Sequence, residues 1–309
     1  MNNSITLQKT LLKEVELNGV GLHTGKQVKL KFVPAPVNTG FVFVRTDVTP
    51  NVKIPADIQY VINTDRGTNL EKDNYKIQTS EHVLAALVGM DVDNCFIELD
   101  ESESPIMDGS SKFFVEAIES AGVVEQSERR CEYVVTEIIS YRDEETGSEI
   151  TLIPSDTFQV TTMVDFQTKV LGTQNASLDN ITDFKNEIAP ARTFSFLHEL
   201  EMLLENGLIK GGDLNNAIVY VDKPLSESNM ERLKEAFGKE KISVSPNGIL
   251  DNLSLHYSNE AARHKLLDVI GDLALVGVSI KGKVIAIKPG HKVNAEFSKK
   301  LSHIIKQER

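Results

Sequence analysis

Two segments of the chain, beginning near residues 82 and 264, follow the same order of predicted helix, strand, turn and helix. His82 and His264 are each followed by a leucine two residues later and by a glycine seven residues later. Each segment then continues into an alternating strand pattern, a turn containing proline and glycine, and a helical tail. This spacing of 182 residues predicts a duplicated α/β unit. A match this short also arises by chance, so the duplication depends on the two halves being superimposable.

The length of 309 residues suggests about two domains. Alternation in QVKLKFVP, FVFVRT, NCFIELD and KVIAIK predicts strands, whereas SEHVLAALVGM, with Ser80 as its predicted cap, and SSKFFVEAIESAG have helical periodicity. The polar segment from about Gly122 to Cys131 predicts a linker. We therefore predict an α+β fold of two similar domains, 1–126 and 127–309. Each would be a mostly antiparallel sheet layered with helices, and the helices would pack together between the sheets as a duplicated two-layer sandwich.

The overall charge argues against several classes of partner. With 33 basic and 45 acidic residues the net charge is −12, which disfavours non-specific binding of nucleic acid and a cationic membrane-facing surface. The two cysteines, Cys95 and Cys131, lack CxxC spacing, which favours a reducing compartment. Neither a secretory signal nor an apolar run near the ~20 residues that span a bilayer is evident. We therefore predict a cytoplasmic protein without stable membrane insertion.

The segment HKLLDVIGD places His264, Asp268 and Asp272 at positions i, i+4 and i+8, which lie on one face of a helix. Imidazole and carboxylate in this arrangement favour a divalent metal held by His264 and Asp268. Asp272, one turn further on, would orient a neighbouring acid or base. The same spacing is equally typical of a solvated polar face.

A second group of residues completes this candidate site if the two halves face each other. His82 would then lie in the place equivalent to His264, giving two histidines and one aspartate, a set that leaves a metal position open for water. Glu81, next to His82, is suited to accept a proton, and His291, after the turn KPGH and near Asp272, is suited to donate one. Alternatively, Glu81 is a carboxylate that stabilises a helix N-terminus, and His291 belongs to a surface loop.

Several motifs occur together along the chain: GVGLHTG, SEHVLAALVGMDVDN, PIMDGSS, ARTFSF, and RHKLLDVIGDL with KPGH. In this order they resemble the UDP-3-O-acyl-N-acetylglucosamine deacetylases of Gram-negative bacteria, which are zinc hydrolases of lipid A biosynthesis. The resemblance extends from about residue 19 to residue 294. It implies hydrolysis of the acetamide of UDP-3-O-(hydroxyacyl)-N-acetylglucosamine to the free amine and acetate, the committed step of that pathway.

The resemblance also implies catalytic roles for individual residues. Three of them match the zinc ligands: His82, His264 and Asp268. Glu81 matches the base that activates water, and Thr193 matches a hydroxyl that stabilises the oxyanion. His291 matches the residue that protonates the departing amine, and Asp272 matches the carboxylate that keeps it charged and oriented.

Further positions are implied to contact the substrate. Lys265 and Lys288 match positions near the anionic part of the substrate, which contains its diphosphate. Phe194 and Phe166 match aromatic contacts, and His23 in GVGLHTG matches a histidine near the site. The assignment of Phe166 is less direct, because DFQTKVLG lacks the His-Pro that often follows Asp-Phe in relatives.

The stretch at about 196–222 corresponds to a family insert that forms a passage for the fatty acyl chain. Four of its apolar residues are candidates to line such a passage: Leu197, Leu200, Leu204 and Val219. Each buried methylene of the acyl chain would contribute about 0.8 kcal/mol. Read without the resemblance, the same leucines suit an amphipathic helix packed on its own core.

Other features remain open at the level of sequence. Gly67 falls where some members of the family carry a cysteine. A ligand set of two histidines and one aspartate accepts Fe²⁺ as well as Zn²⁺. Fusion of some relatives to an acyl-carrier-protein dehydratase domain predicts a similar fusion or partnership here. The competing functions are a sugar-nucleotide binder with a structural metal and a deacetylase acting on a non-lipid amide.

Overall fold

The computed structural model describes residues 6–205, 212–214, 216–223, 227–251 and 253–308. Side chains at 201, 203–205, 227–229, 232 and 236 lie outside this description.

Two five-stranded sheets form the frame of the molecule. The first has the spatial order β2 (Val15–Val20), β3 (Gln27–Pro34), β9 (Cys95–Leu99), β4 (Phe41–Arg45) and β5 (Val52–Pro55). The second has the order β12 (Ile139–Arg142), β13 (Glu149–Ile153), β19 (Lys283–Ile287), β14 (Gln159–Asp165) and β15 (Thr173–Leu178). The strands predicted from QVKLKFVP, FVFVRT, NCFIELD and KVIAIK are β3, β4, β9 and β19.

The two sheets have the same topology. In each, the central strand pairs parallel with the fourth strand, while the remaining neighbours pair antiparallel. The central strands, β9 and β19, follow His82 and His264 in the sequence, β9 as the next strand and β19 after the short strand Ser279–Lys281. The predicted duplication and the mostly antiparallel α+β fold are therefore confirmed.

Shorter strands connect and flank these sheets. They are β1 (Leu7–Leu11) with β10 (Val123–Arg129), β11 (Glu132–Val134) with β18 (Ser279–Lys281), β16 (Phe194–Phe196) with β17 (Ile218–Tyr220), and the sheet of β6 (Val61–Asn63), β7 (Asn69–Lys72) and β8 (Tyr75–Ile77). The predicted linker was wrong in its conformation: most of it is strand β10, whose main chain pairs with β1. Because one edge strand needs few apolar side chains, its polar composition resembled that of a loop. The division after residue 126 falls within β10 and stays a prediction.

Seven α-helices complete the described part of the chain. They are α1 (Glu81–Gly89), α2 (Lys112–Ala121), α3 (Phe184–Glu187), α4 (Leu197–Glu205), α5 (Glu227–Phe237), α6 (Glu260–Leu273) and α7 (His291–Glu308). Short 3-10 turns lie at Ile58–Tyr60, Ile181–Asp183 and Ala274–Val276. Within the described ranges, no helix combines the length and the apolar character that crossing a bilayer requires.

Helices α1 and α6 pack directly against each other, and their apolar residues join those of both sheets in one continuous core. The closest approach is at Gly271, where an added Cβ would lie 2.1 Å from the main-chain oxygen of Glu81. Only glycine allows the two main chains to come so near. The glycine seven residues after His264 therefore has a structural reason: it brings α6 against the first residue of α1.

A second, smaller core lies around α4 and α5. Its buried members are Leu197, Leu200, Leu214, Val219, Leu233, Ile242 and Leu250. Three of the four residues predicted for the acyl passage belong to it, while the side chain of Leu204 lies outside the described residues. The insert thus has an apolar core of its own.

We expect Gly271→Ala to destabilise the protein by about 1–3 kcal/mol, because the new methyl group would force the two helices apart. Helix propensity alone would make the alanine variant about 1 kcal/mol more stable. A decrease in the free energy of unfolding would therefore indicate the close contact between the two main chains. Denaturant unfolding measures this effect. Gly290→Ala is the matched control, since its added Cβ would meet no atom within 4 Å. Equal stability of the two variants would contradict the interpretation.

Candidate metal centre and active site

Three buried side chains converge where α1 meets α6. His82 Nε2 lies 3.9 Å from Asp268 Oδ1, and His264 Nε2 lies 3.4 Å from the same oxygen. The two imidazole rings are 5.0 Å apart and nearly perpendicular. One ligand atom from each residue can be chosen so that all three lie within 4.8 Å of one another. None of the three residues is more than 4% exposed.

The main chain around the site orients these ligands. His264 Nδ1 lies 3.0 Å from the carbonyl oxygen of Ala191, so Nδ1 carries the hydrogen and the Nε2 lone pair is directed toward Asp268. The carbonyl of His82 accepts a hydrogen bond from Ser111 Oγ at 2.8 Å, which connects α1 to the start of α2.

The electrostatic environment favours the ligand forms of all three side chains. Burial, followed by the neighbouring His264, lowers the pKa of His82 to about 3, and burial also lowers the pKa of His264. Burial opposes ionisation of Asp268, but Lys265 and His264 outweigh it and hold the pKa of this carboxyl far below its usual range. Two neutral imidazoles and one carboxylate result, and these are the forms that bind metal.

One polar atom at the centre of the cluster supports a cation there. Asp268 Oδ1 is buried and accepts no hydrogen bond from any described residue. Its other oxygen, Oδ2, accepts from Lys265 Nζ at 2.8 Å. A buried carboxylate oxygen is costly without a partner, and the His264 Nε2 that faces it carries a lone pair rather than a hydrogen. His82 Nδ1 is likewise buried without a hydrogen-bond partner among the described residues. A divalent cation bound to Asp268 Oδ1 and to one nitrogen of each imidazole would supply a partner at this point, so the residues present fit a metal ion.

Glu81 and His291 lie on either side of this cluster. His291 is the first residue of α7, and its Nε2 lies 3.8 Å from Glu81 Oε1 and 3.8 Å from Asp268 Oδ2. Its Nδ1 lies 3.0 Å from Asp272 Oδ2. Burial raises the pKa of Glu81 to about 7, whereas Asp272 and Glu81 together raise the pKa of His291 to about 9 despite its burial. The pair therefore offers a carboxylate able to accept a proton beside a protonated imidazole.

A cavity of about 730 Å³ opens onto the cluster. Its polar lining residues include Glu81, His82, Thr193, His264, Lys265, Asp268 and His291. Its apolar lining residues include Phe166, Phe194, Phe196, Leu200, Leu214, Val219 and Phe237. The cavity is thus lined both by the candidate metal site and by residues of the small core of the insert, a lining that suits a ligand with a polar head and an apolar tail.

Several residues implied to contact substrate lie at this cavity. Lys265 Nζ lies over the ring of Phe194 at 5.7 Å, in addition to its bond with Asp268. Phe166 packs edge-on against Phe194 with ring centroids 5.4 Å apart. His23 also lines the cavity, and its main-chain N–H donates to Glu103 Oε1 at 2.9 Å.

Lys288 differs from the other predicted substrate contacts in its position. It is not among the residues that line the cavity. Its ammonium lies 3.6 Å from Asp165 Oδ2, and about a third of the side chain is exposed. A role for Lys288 near the diphosphate stays a prediction.

The structure also brings in residues that the sequence reasoning missed. Glu260, completely buried, binds Arg192 through Nε at 2.8 Å and Nη2 at 3.2 Å. This ion pair anchors the ARTF segment, which carries Thr193 and the Ala191 carbonyl, to the start of α6. A signal for it was present: Glu260 stands four residues before His264 and extends the polar face of the helix by one turn.

Thr68 was also missed, for a different reason. Ser80 is the residue before α1, as predicted, but its side chain makes no capping bond and its hydroxyl instead donates to the Thr68 carbonyl at 2.9 Å. Thr68 lies in the turn before β7, and no periodicity marks such a position. Its contact with the site arises only when the chain folds.

Comparison with known proteins gives one consistent result. The model of the UDP-3-O-acyl N-acetylglycosamine deacetylase family (LpxC) matches residues 8–242 and 228–303. A protein of Saccharophagus degradans named UDP-3-O-acyl-N-acetylglucosamine deacetylase is 40% identical over 97% of this chain and 91% of its own length.

Other relatives are longer. The bifunctional enzyme LpxC/FabZ of Chlorobaculum tepidum is 46% identical over 95% of this chain, which spans 64% of that protein. The enzyme of the same name from Porphyromonas gingivalis is 44% identical over 97% of this chain, which spans 65% of it. The chain therefore covers less than two thirds of the length of these bifunctional relatives.

We expect the purified protein to bind about one divalent metal per chain and His82→Ala to lose most of it on dialysis, because two remaining protein ligands hold zinc poorly. Elemental analysis by mass spectrometry measures the bound metal. His303→Ala, at an exposed position of α7, is the control and should keep its metal. Full metal content in His82→Ala would show that the ion binds elsewhere.

Proposed function

The chain belongs to the UDP-3-O-acyl N-acetylglycosamine deacetylase family, and we propose from this membership that it hydrolyses the acetamide of a UDP-3-O-acyl-N-acetylglucosamine to the free amine and acetate. The observation that carries the proposal is the buried group of two histidines and one aspartate beside Glu81 and His291, in a cavity that is also lined by apolar residues. This reaction would be the committed step of lipid A biosynthesis.

His82, His264 and Asp268 would hold a Zn²⁺ ion, with Fe²⁺ as the alternative that the same ligands accept. When bound, such an ion acts as a Lewis acid that polarises an amide carbonyl and makes water easier to deprotonate near neutral pH. Three protein ligands suit a catalytic rather than a structural site, because structural zinc sites are usually closed by four.

Glu81 is suited to be the general base. Its Oε2 accepts the main-chain N–H of Thr68 at 3.0 Å, which leaves Oε1, 3.8 Å from His291 Nε2, available to accept a proton. This oxygen would take a proton from the attacking water as the water oxygen bonds to the acetamide carbon. A pKa raised to about 7 by burial suits a base that works near neutral pH.

His291 is suited to be the general acid. Because its Nδ1 is engaged by Asp272, Nε2 carries the second hydrogen of the imidazolium toward the site. As the carbon–nitrogen bond breaks, Nε2 would give this proton to the departing amine, leaving acetate and a free amino group. Thr193, which also lines the cavity, would donate its hydroxyl hydrogen bond to the carbonyl oxygen as negative charge develops there.

The rest of the cavity would bind the non-reacting parts of the substrate. We assign the acyl chain to the apolar part of the lining around Phe194, Leu200 and Val219, in the same cavity as the residues proposed for catalysis. The substrate's anionic part would lie near Lys265, whose side chain is held by Asp268 and by the ring of Phe194. The ring of Phe194 contacts Lys265 Nζ as well as the rings of Phe166 and Phe196, so it would lie where the two regions meet.

The cellular setting of the reaction follows from the same proposal. A sugar-nucleotide substrate and the cysteine content support a cytoplasmic location. The relatives named bifunctional enzyme LpxC/FabZ support the predicted fusion or partnership with a dehydratase domain.

We expect the metal-loaded protein to release acetate from acylated UDP-N-acetylglucosamine and Glu81→Gln to reduce kcat by about 10²–10⁴-fold, because the amide cannot accept the proton from water. Measurement of acetate, together with the metal content of each variant, tests this. Glu149→Gln, on the exposed pair with Arg142, is the control. Absence of acetate from the wild-type protein would instead favour a sugar-nucleotide binder, and full activity of Glu81→Gln would refute the assigned base.

A second expectation concerns the acyl chain. If about four of its methylenes are buried in the cavity, removing the chain from the substrate costs about 3 kcal/mol, or roughly a hundredfold in kcat/KM. Steady-state kinetics on UDP-N-acetylglucosamine with and without the acyl group measures this ratio. Similar kcat/KM values for both compounds would point to a deacetylase of non-lipid amides.

A further inference from the structure

We propose that Thr68 is a positioning residue that links the two proton-transferring groups of the site. Its main-chain N–H would orient Glu81, and its side-chain hydroxyl would orient Asp272 and through it His291. This inference rests on the proposed function for its kinetic test, while the contact itself is testable without any activity.

Every polar group of Thr68 is engaged, and the residue is only 1% exposed. The N–H donates to Glu81 Oε2 at 3.0 Å, and the carbonyl accepts from Ser80 Oγ at 2.9 Å. The hydroxyl donates to Asp272 Oδ1. One residue of the β6–β7 turn is thereby bonded to the start of α1 and to the last turn of α6, which carry the two carboxylates.

The hydroxyl also constrains the protons of the acid. A threonine hydroxyl has one hydrogen, and here it is given to Asp272. Its oxygen lies 3.3 Å from His291 Nδ1, so it can only accept from that nitrogen, which also faces Asp272 Oδ2 at 3.0 Å. Two acceptors around Nδ1 keep a hydrogen on it. Nε2 is then the nitrogen left to exchange a proton at the cavity.

The two oxygens of Asp272 are not equally supported. Oδ2 is shared by His291 and by Asn294 Nδ2, the latter at 2.8 Å. Oδ1 is bound by the Thr68 hydroxyl, and none of the remaining described side chains bonds it. Without this hydroxyl, only the two hydrogen bonds to Oδ2 would restrain rotation of the carboxylate about its Cβ–Cγ bond, and the imidazole bonded to it would be held less firmly. A general acid must be held in the correct orientation to transfer its proton, so a less firmly held imidazole would lower the rate.

The test compares Thr68→Val, which keeps the shape and the N–H contact, with Thr68→Ser, which keeps the hydroxyl. For metal-loaded protein we expect Thr68→Val to reduce kcat on the order of tenfold to a hundredfold, the range for one hydrogen bond to a charged group, with KM changed less than about twofold. Thr68→Ser should retain most of kcat. Metal content should equal that of the wild type in both variants.

A matched control separates this role from ordinary burial of a hydroxyl. Thr10 is also buried. Its hydroxyl donates to the Asn94 carbonyl at 2.8 Å and accepts from the Ala35 N–H at 3.0 Å, and neither partner belongs to the proposed site. Thr10→Val should affect stability and leave kcat unchanged. Unchanged kcat in Thr68→Val, equal losses in Thr68→Val and Thr68→Ser, or a loss explained by missing metal would each overturn the inference.

A double-mutant cycle in denaturant unfolding tests the contact independently of turnover. Thr68→Val and Asp272→Ala should be clearly non-additive, since each removes the same hydrogen bond. Additive effects would overturn the inference even if the enzyme is active. If the wild-type protein releases no acetate, the proposed function fails, while the cycle still decides whether Thr68 and Asp272 are coupled.

Discussion

The contact between helices α1 and α6 is the constraint on which the rest of the structure depends. Glycine at position 271 lets the main chain of α6 approach that of Glu81 more closely than any side chain would permit. His82, one residue further along α1, then faces His264 and Asp268 on α6. A metal site built from both halves requires this short distance, because ligand atoms must lie within a few ångströms of one another.

Such an arrangement buries several ionisable groups, which is unfavourable unless each has a partner. The protein meets this condition with a chain of paired charges. Glu260 is neutralised by Arg192, and Asp268 by Lys265 and by the cation it is suited to bind. Asp272 is bonded to His291 and to neutral donors. The same network that makes burial tolerable also orients the groups proposed for catalysis, so a change within it is expected to affect both stability and activity.

Much of the candidate site was predictable from the chain. Residues four apart on a helix share a face whatever surrounds them, so His264, Asp268 and Asp272 could be grouped without a structure. The repeated order of elements in the two halves then added His82 and its neighbour Glu81, and the resemblance to the family implied their roles. Thr68 could not be found in this way, since a turn residue has no periodic signal and its partners come from two other elements. The prediction from sequence was also wrong for strand β10, because its polar residues are typical of a linker.

By itself, the sequence determined the local chemistry of this protein: which residues lie on one helix face, which segments alternate as strands, and that two halves repeat the same order of elements. These properties depend on neighbours along the chain. Only the tertiary structure decided that the halves face each other across Gly271 and that Thr68 lies between the two carboxylates. It also decided that Lys288 pairs with Asp165 away from the cavity. Those outcomes depend on packing between distant segments, where an ångström of approach decides whether groups meet.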